Sequence, residues 1–256
     1  MDREKLTDLT SALCDTVVCA DETVSTNTDA RRLTAELPSA DVILCTAKRQ
    51  TGGRGRQGKS FLSPDGGLYM TLAMRTGLPL TSVVGVTSSA AVAVTNALAR
   101  QSILCGIKWV NDIYLNGKKL AGILTESIND GSRSDHVLIG IGVNIASFPF
   151  PEEINAISLE EVGYSVSLEQ LCADIVRELL TIREHRFDFS ICAEAYRTRS
   201  IVLGREVTYI RNGSSTYGTA VAIDECGRLL VQVGDELHTL DSGEITLRSG
   251  RLSRQA

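Results

Sequence analysis

A chain of 256 residues with 43% apolar and 22% charged side chains and a mean hydropathy of +0.04 can bury a substantial core in one or two domains, which excludes disordered, collagenous and coiled-coil chains. Its 26 Lys and Arg against 31 Asp and Glu leave a net charge of -5, without the basic surplus that binding to a phosphate backbone needs, so DNA is not an expected partner. No signal-peptide core or membrane-length apolar run is present, no membrane partner is expected, and the cytoplasm is the expected compartment. Seven cysteines, an odd number without a CxxC pair, and three distant histidines encode neither a disulfide framework nor a zinc site; reduced thiols are expected, with no zinc or haem.

The charged N-terminal stretch reads as helix. A short apolar run, Val17 to Ala20, precedes Ser25-Thr26-Asn27, whose side chains suit a helix N-cap. Val42 to Cys45 reads as a buried strand, Lys48 to Lys59 as a Gly/Arg loop, and Leu68 to Met74 as strand. Small residues dominate Val83 to Ala99, a buried helix packed closely on a sheet. Gly106 to Val110 and Asp112 to Leu115 read as strand; Asn116-Gly117 is a hairpin turn returning through Lys118 to Glu126; His136 to Ile145 is a further strand. Leu171, Ile175, Leu179 and Ile182 give helical spacing to Leu168 to Glu184. After a boundary placed near Ser200, short β-rich stretches at 206–210, 216–223, 228–233 and 236–240 alternate with turns, as in a small five-stranded barrel or sandwich.

The loop Gln50-Thr51-Gly52-Gly53-Arg54-Gly55-Arg56-Gln57-Gly58-Lys59 combines a glycine-freed backbone with three cations, a composition suited to phosphate or carboxylate. Gly53 to Ser60 also fits the literal P-loop expression. A P-loop, however, opens into a helix, and here Pro64-Asp65-Gly66-Gly67 would end any helix within a turn. That reading is set aside.

Further motifs follow in order: Lys108-Trp109-Val110-Asn111-Asp112, then Lys119-Leu120-Ala121-Gly122-Ile123-Leu124, then Gly140-Ile141-Gly142-Val143-Asn144. Each alone fits a core tryptophan, a solvated hairpin edge or close strand packing. Together with Ser25-Thr26-Asn27 and the arginine loop, in this order, the sequence closely resembles the biotin protein ligases from about residue 15 to residue 249.

The resemblance implies an α+β fold: a mixed sheet with flanking helices, similar to class II aminoacyl-tRNA synthetases, over residues 1–200, and an SH3-like barrel over 201–256. It implies an enzyme that joins biotin to ATP, releases pyrophosphate and passes biotin from the adenylate to a lysine of a biotin carboxyl carrier domain. By that likeness Ser25, Thr26, Asn27, Gln50, Gly53, Arg54, Gly55, Arg56, Lys119, Gly122, Leu124, Gly140 and Ile141 meet biotin. Arg56, Lys59, Trp109, Asn111, Lys119 and Asn144 meet the nucleotide, and Asp112 lies on the side of a magnesium ion. Lys119, Arg54 and Arg56 are the expected catalytic cations. Three positions depart from the family pattern: Val110 stands for the usual Pro, Phe61 for Trp and Lys59 for Arg, the last giving up bidentate geometry. Only 24 residues precede Ser25, so the kind without a DNA-binding module is expected; a homodimer and the identity of the carrier are left open. A lipoate ligase, or a binding protein without catalysis, are the competing readings.

Overall fold

The alternation of apolar side chains along the strands decides how the layers stack. The computed structural model describes residues 1–79, 83–130, 133–151, 153–211 and 213–247. In it β1 (Thr16–Thr23), β2 (Val42–Gln50), β3 (Leu68–Pro79), β4 (Gly106–Lys108), β5 (Asp112–Leu115), β6 (Lys118–Asp130) and β7 (Arg133–Val143) form a seven-stranded sheet in the order β1-β2-β3-β7-β6-β5-β4. β1 runs parallel to β2, and the crossover between them is α2 (Thr26–Glu36); the other pairs are antiparallel.

Both faces of this sheet are covered. On β2 and β3, Leu44, Met70, Leu72 and Met74 join the main core under α3 (Val83–Ala99) and α4 (Leu168–Glu184), whereas Ile43, Cys45 and Ala73 meet Ala30 and Leu33 of α2 on the opposite face. This period-two division is the geometry of the pleat. Ala90, Ala91, Ala93 and Ala97 of α3 are fully buried, which lets the helix approach its neighbours closely, as its composition predicts. α1 (Arg3–Thr10) is capped by Asp2 and packs on α4.

The second sheet contains β8 (Glu206–Arg211), β9 (Ser214–Ile223), β10 (Leu229–Val233), β11 (Glu236–Leu240) and β12 (Ile245–Leu247), all antiparallel in the order β11-β10-β9-β8-β12. Its turns use Gly213, Gly227 and Gly234 at positive φ, where a side chain would be strained. Val207, Tyr209, Ala220, Leu229, Val231 and Ile245 continue the main hydrophobic core. The two sheets are joined through α5 (Ala193–Arg199), which the sequence did not reveal: Arg197 Nε donates to the carbonyl of Ile223 at 2.8 Å.

Several expected boundaries move. The helix expected after Asn27 already includes Thr26 and Asn27, with Ser25 at the N-cap position but its side chain making no capping bond. The strand expected over 106–110 stops at Lys108, because Trp109 and Val110 form the bend into β5. The strand expected to end at Ile145 ends at Val143. Lys48 to Gln50, read as loop, belongs to β2.

Candidate active site

Three glycines without side chains open a hollow on the α2 face of the sheet. Gly122 of β6 pairs with Gly142 of β7, and Leu124 with Gly140; since alternate residues share a face, these positions form one floor. The resulting cavity, of about 400 Å³, is closed on one side by the loop after β2 and on another by the Gly243-Glu244-Ile245 turn of the second sheet. Phe61, at the end of that loop, lies over the floor: a Cβ on Gly142 would come within 2.3 Å of its ring, and one on Gly122 within 3.2 Å.

The end of the cavity beneath α2 is lined by hydrogen-bonding groups. Gln50 Oε1 accepts from the Thr26 amide at 2.9 Å and from its hydroxyl at 3.2 Å, while Gln50 Nε2 donates to Ser63 Oγ at 2.9 Å. Thr71 Oγ1 lies 2.8 Å from Thr26 Oγ1 and 2.6 Å from Asn27 Oδ1, and Asn27 Nδ2 donates to Glu126 at 2.8 Å. Thr26, Asn27 and Thr71 are all buried. Such a wall suits a neutral polar ring that offers both a carbonyl and N–H groups.

The other end is charged. Arg54, Arg56, Lys59, Lys108 and Lys119 line it together with Asp112, Glu153 and Glu244. Lys119 Nζ lies 2.7 Å from Asp112 Oδ1, across the β5–β6 hairpin whose turn holds Asn116 and Gly117 at positive φ. Its neighbour Lys118 points the other way, toward Glu161, 3.9 Å distant. Arg56, in a single 3₁₀ turn, donates to Asn111 Oδ1 at 3.2 Å, and Asn111 Nδ2 is anchored on the Ile123 carbonyl at 2.7 Å. Burial lowers the pKa values of Arg56 and Lys108, against the pull of Asp112 and Glu244. An added anion would offset the penalty that burial places on these two cations, so this end favours negative charge. Burial also pushes the Tyr114 hydroxyl up to about 12, keeping it neutral beneath Lys108, whose ammonium sits 5.6 Å from the ring centre.

The structure gathers Thr26, Asn27, Gln50, Arg54, Gly55, Arg56, Lys59, Trp109, Asn111, Asp112, Lys119, Gly122, Leu124, Gly140 and Ile141 around one cavity. Three expected residues do not line it. Ser25 is buried at the helix entry, and Gly53 packs behind the loop, where a Cβ would fall 2.4 Å from the Phe61 carbonyl. Asn144, expected near the nucleotide, instead donates to the Ile157 carbonyl at 3.1 Å and holds the chain after β7 in place. Asp112, expected near a metal, has its carboxylate engaged by Lys119, and among the described residues no three His, Cys, Asp or Glu side chains gather. This donor set does not fit a resident ion.

Sequence reasoning missed Lys108, Glu153 and Glu244. Lys108 was legible in principle, since it faces Asp112 across the β4–β5 pair. Glu244 carried no local signal; it reaches Lys59 at 2.5 Å across 185 residues, and that hydrogen bond lowers its pKa. Every site residue expected from the sequence precedes Ile145, and Gly243, Glu244 and Ile245 add a contribution from the second sheet. At the bend before Asn111, where proline was expected, Tyr196 donates to the Val110 carbonyl at 3.1 Å and the Trp109 indole to the Gly227 carbonyl at 2.9 Å.

Residues 20–144 match the biotin/lipoate A/B protein ligase family, and residues 202–248 the biotin protein ligase C-terminal domain. The bifunctional ligase/repressor BirA of Bacillus subtilis is 31% identical over 217 residues, covering 80% of this chain and 66% of that protein, so the chain spans just under two thirds of its length. The biotin–[acetyl-CoA-carboxylase] ligase of Paracoccus denitrificans is 31% identical over 225 residues, covering 82% of this chain and 91% of that one. Among solved structures, biotin protein ligase from Aquifex aeolicus in complex with biotin and ATP is similar with a TM-score of 0.76 and 25% identity, over 91% of this chain and 98% of that one. The Leishmania major ligase in complex with biotinyl-5-AMP is similar with a TM-score of 0.63 and 25% identity, over 92% of this chain and 99% of that one. With both sequence segments matched in order and the same fold recovered, the chain belongs to the biotin protein ligase family.

Proposed function

We propose that the chain activates biotin with ATP to biotinyl-5′-AMP, releasing pyrophosphate, and transfers the biotinyl group to a lysine of a biotin carboxyl carrier domain. Residues 1–200 carry the chemistry, and the turn of the second sheet at Gly243, Glu244 and Ile245 closes one wall of the site. The observation that carries this reading is the division of one cavity into a neutral polar end, at Thr26, Asn27 and Gln50, and a cationic end, at Arg54, Arg56 and Lys119. A ureido ring suits the first, and a carboxylate meeting a triphosphate suits the second.

The reaction needs little proton transfer, because a carboxylate is already a nucleophile at neutral pH. The main barrier is bringing two anions together in line and neutralising the charge that builds at the α-phosphorus. Lys119 takes the position between the glycine floor and the phosphate end, and Asp112 holds its ammonium there until substrate competes for it. Arg54 and Arg56 sit on a loop that folds over the adenylate and shields the mixed anhydride from water. In transfer, the neutral carrier amine attacks the acyl carbon, the bond to AMP breaks, AMP leaves with its electron pair, and the new amide nitrogen gives up a proton to solvent. Magnesium belongs to this scheme as the companion of ATP, and no step is assigned to a protein-held ion.

Incubation with biotin, MgATP and a carrier domain, followed by intact mass, tests the reading. A carrier mass increase by one biotinyl group, dependent on ATP, is expected. Lipoic acid in the same assay is the competing case, and its preferential attachment would overturn the biotin assignment. Binding of biotin without pyrophosphate release would identify a protein that only binds.

A further inference from the structure

We propose that Glu126, which does not itself line the cavity, is a positioning residue that fixes which way round the Asn27 carboxamide faces and thereby sets the hydrogen-bonding sense of the biotin-reading wall. The inference rests on the biotin reading above. A carboxamide can present either its oxygen or its nitrogen to a neutral partner, but an ionised carboxylate only accepts. Glu126 Oε2 therefore requires Asn27 Nδ2 to face it, at 2.8 Å, and turns Asn27 Oδ1 toward Thr71 Oγ1, at 2.6 Å.

The consequence passes along the wall. Thr71 has one hydroxyl proton and two acceptors in reach, Asn27 Oδ1 and Thr26 Oγ1. Both are acceptors toward it because Glu126 fixes the first and Gln50 Oε1 takes the Thr26 hydroxyl proton. A reversed Asn27 would aim its oxygen at the carboxylate and its NH₂ at Thr71, inverting the pattern that a ring carbonyl or N–H meets. Glu126 is itself held from outside the cavity: Arg31, one turn along α2 from Asn27, lies 3.8 Å from its Oε1, leaving Oε2 for Asn27. Leu124 and Glu126 share a face of β6, so the sequence period that brings Leu124 to the cavity brings Glu126 beneath α2.

The test is calorimetric titration of biotin into the full chain, alongside the KM for ATP in pyrophosphate release, for wild type, Glu126→Ala, Glu126→Gln and Arg31→Ala. Loss of one charge-assisted hydrogen bond corresponds to about a tenfold effect or more. Glu126→Ala should raise the biotin Kd by about tenfold and leave the ATP KM within about twofold. Glu126→Gln keeps the shape but offers a donor as well as an acceptor, and should raise the Kd by about threefold. Arg31→Ala removes only the outer ion pair and should stay within about twofold. Unchanged biotin Kd in the Glu126 variants, or equal rises in biotin Kd and ATP KM, would overturn the positioning role in favour of a plain strap between α2 and β6. Should Glu126→Ala fail to fold, the isosteric Gln variant decides by the same criterion. Wild type that does not bind biotin would overturn the substrate reading itself, and this inference with it.

Discussion

Asn27 lies directly over Gly140: a Cβ built on the glycine falls 2.1 Å from Asn27 Oδ1 and 2.9 Å from its Cγ. The buried first turn of α2 can therefore cross β7 only where β7 has no side chain. Gly140→Ala should force Asn27 out of its contacts with Thr71 and Glu126, at a cost of about 1–3 kcal/mol in stability, and biotin affinity should fall at least as far. Urea unfolding with biotin titration checks this; a variant of unchanged stability and affinity would show that α2 has slack the structure does not contain.

Glu169 offers a pH test that is separate from the site. Burial alone would raise its carboxyl, yet hydrogen bonds from the Asp2 amide, its own amide, Ser167 and Lys5 bring it down to about 2 from 4.5. A folded-state pKa below the unfolded one contributes stability that is present above about 4.5 and lost as pH falls toward about 2. Glu169→Gln should thus cost about 2 kcal/mol at pH 7 and almost nothing near pH 2. A constant difference across that window would mean that the contact between α1 and α4 is maintained by packing rather than charge.

The second sheet should act mainly on nucleotide use. Its turn at Gly243, Glu244 and Ile245 lies at the cationic end of the cavity, with Glu244 on Lys59. Deleting residues from 201 onward should raise the ATP KM more than the biotin Kd, and loss of biotin binding from a still-folded remainder would contradict this. Trp109→Phe is the milder probe. It leaves the buried Gly227 carbonyl without its 2.9 Å donor, and should lower stability by about 1–3 kcal/mol.

The order of polar motifs made most of the cavity legible, because each motif is short and its period fixes which residues share a face. Gly122, Leu124 and Gly140 were predictable for that reason; Lys119, at an odd position, shares their face only because a bulge breaks the β5–β6 register between Ile113 and Tyr114. The hydrogen bond from Asn144 Nδ2 to a backbone carbonyl that arrives 13 residues later was not predictable, because nothing in its motif announces that partner. Glu126 and Glu244 carry no motif of their own, since what matters is a partner 99 residues away for one and 185 for the other. Strand ends were misjudged where side-chain pattern continued past the last paired residue, as at Trp109 and Val110.

The two arginines of the loop should differ in degree. Arg56 is partly buried and bonded to Asn111, whereas Arg54 is exposed at the cavity mouth. Replacing either with Ala should speed loss of the adenylate, by about ten- to a hundredfold for a charge-assisted bond worth roughly 1.5–3 kcal/mol, with Arg56 the larger. Chase of labelled biotinyl-adenylate from each variant measures this, and unchanged release in both would remove the loop from the mechanism.

Lys119→Ala should cost far more in adenylation rate than in ATP affinity, and Lys118→Ala little in either. The two side chains leave β6 on opposite faces, and only Lys119 enters the cavity, where its partner is Asp112 at 2.7 Å. An ammonium between a carboxylate and a phosphate is worth most as the two anions meet, so its loss falls on the transition state, by roughly a hundredfold or more. The ion pair adds a second consequence. Removing Lys119 leaves the Asp112 carboxylate unpaired and facing incoming anions, so part of the defect is repulsion rather than missing attraction. Asp112→Asn in the Lys119→Ala background should then restore a measurable fraction of the rate, while Asp112→Asn alone should not accelerate the wild type to the same degree. Pyrophosphate release from the four proteins separates the terms. Strict additivity would mean that Asp112 does not hold the lysine in place, and equal, small effects of the two lysines would remove Lys119 from the chemistry altogether.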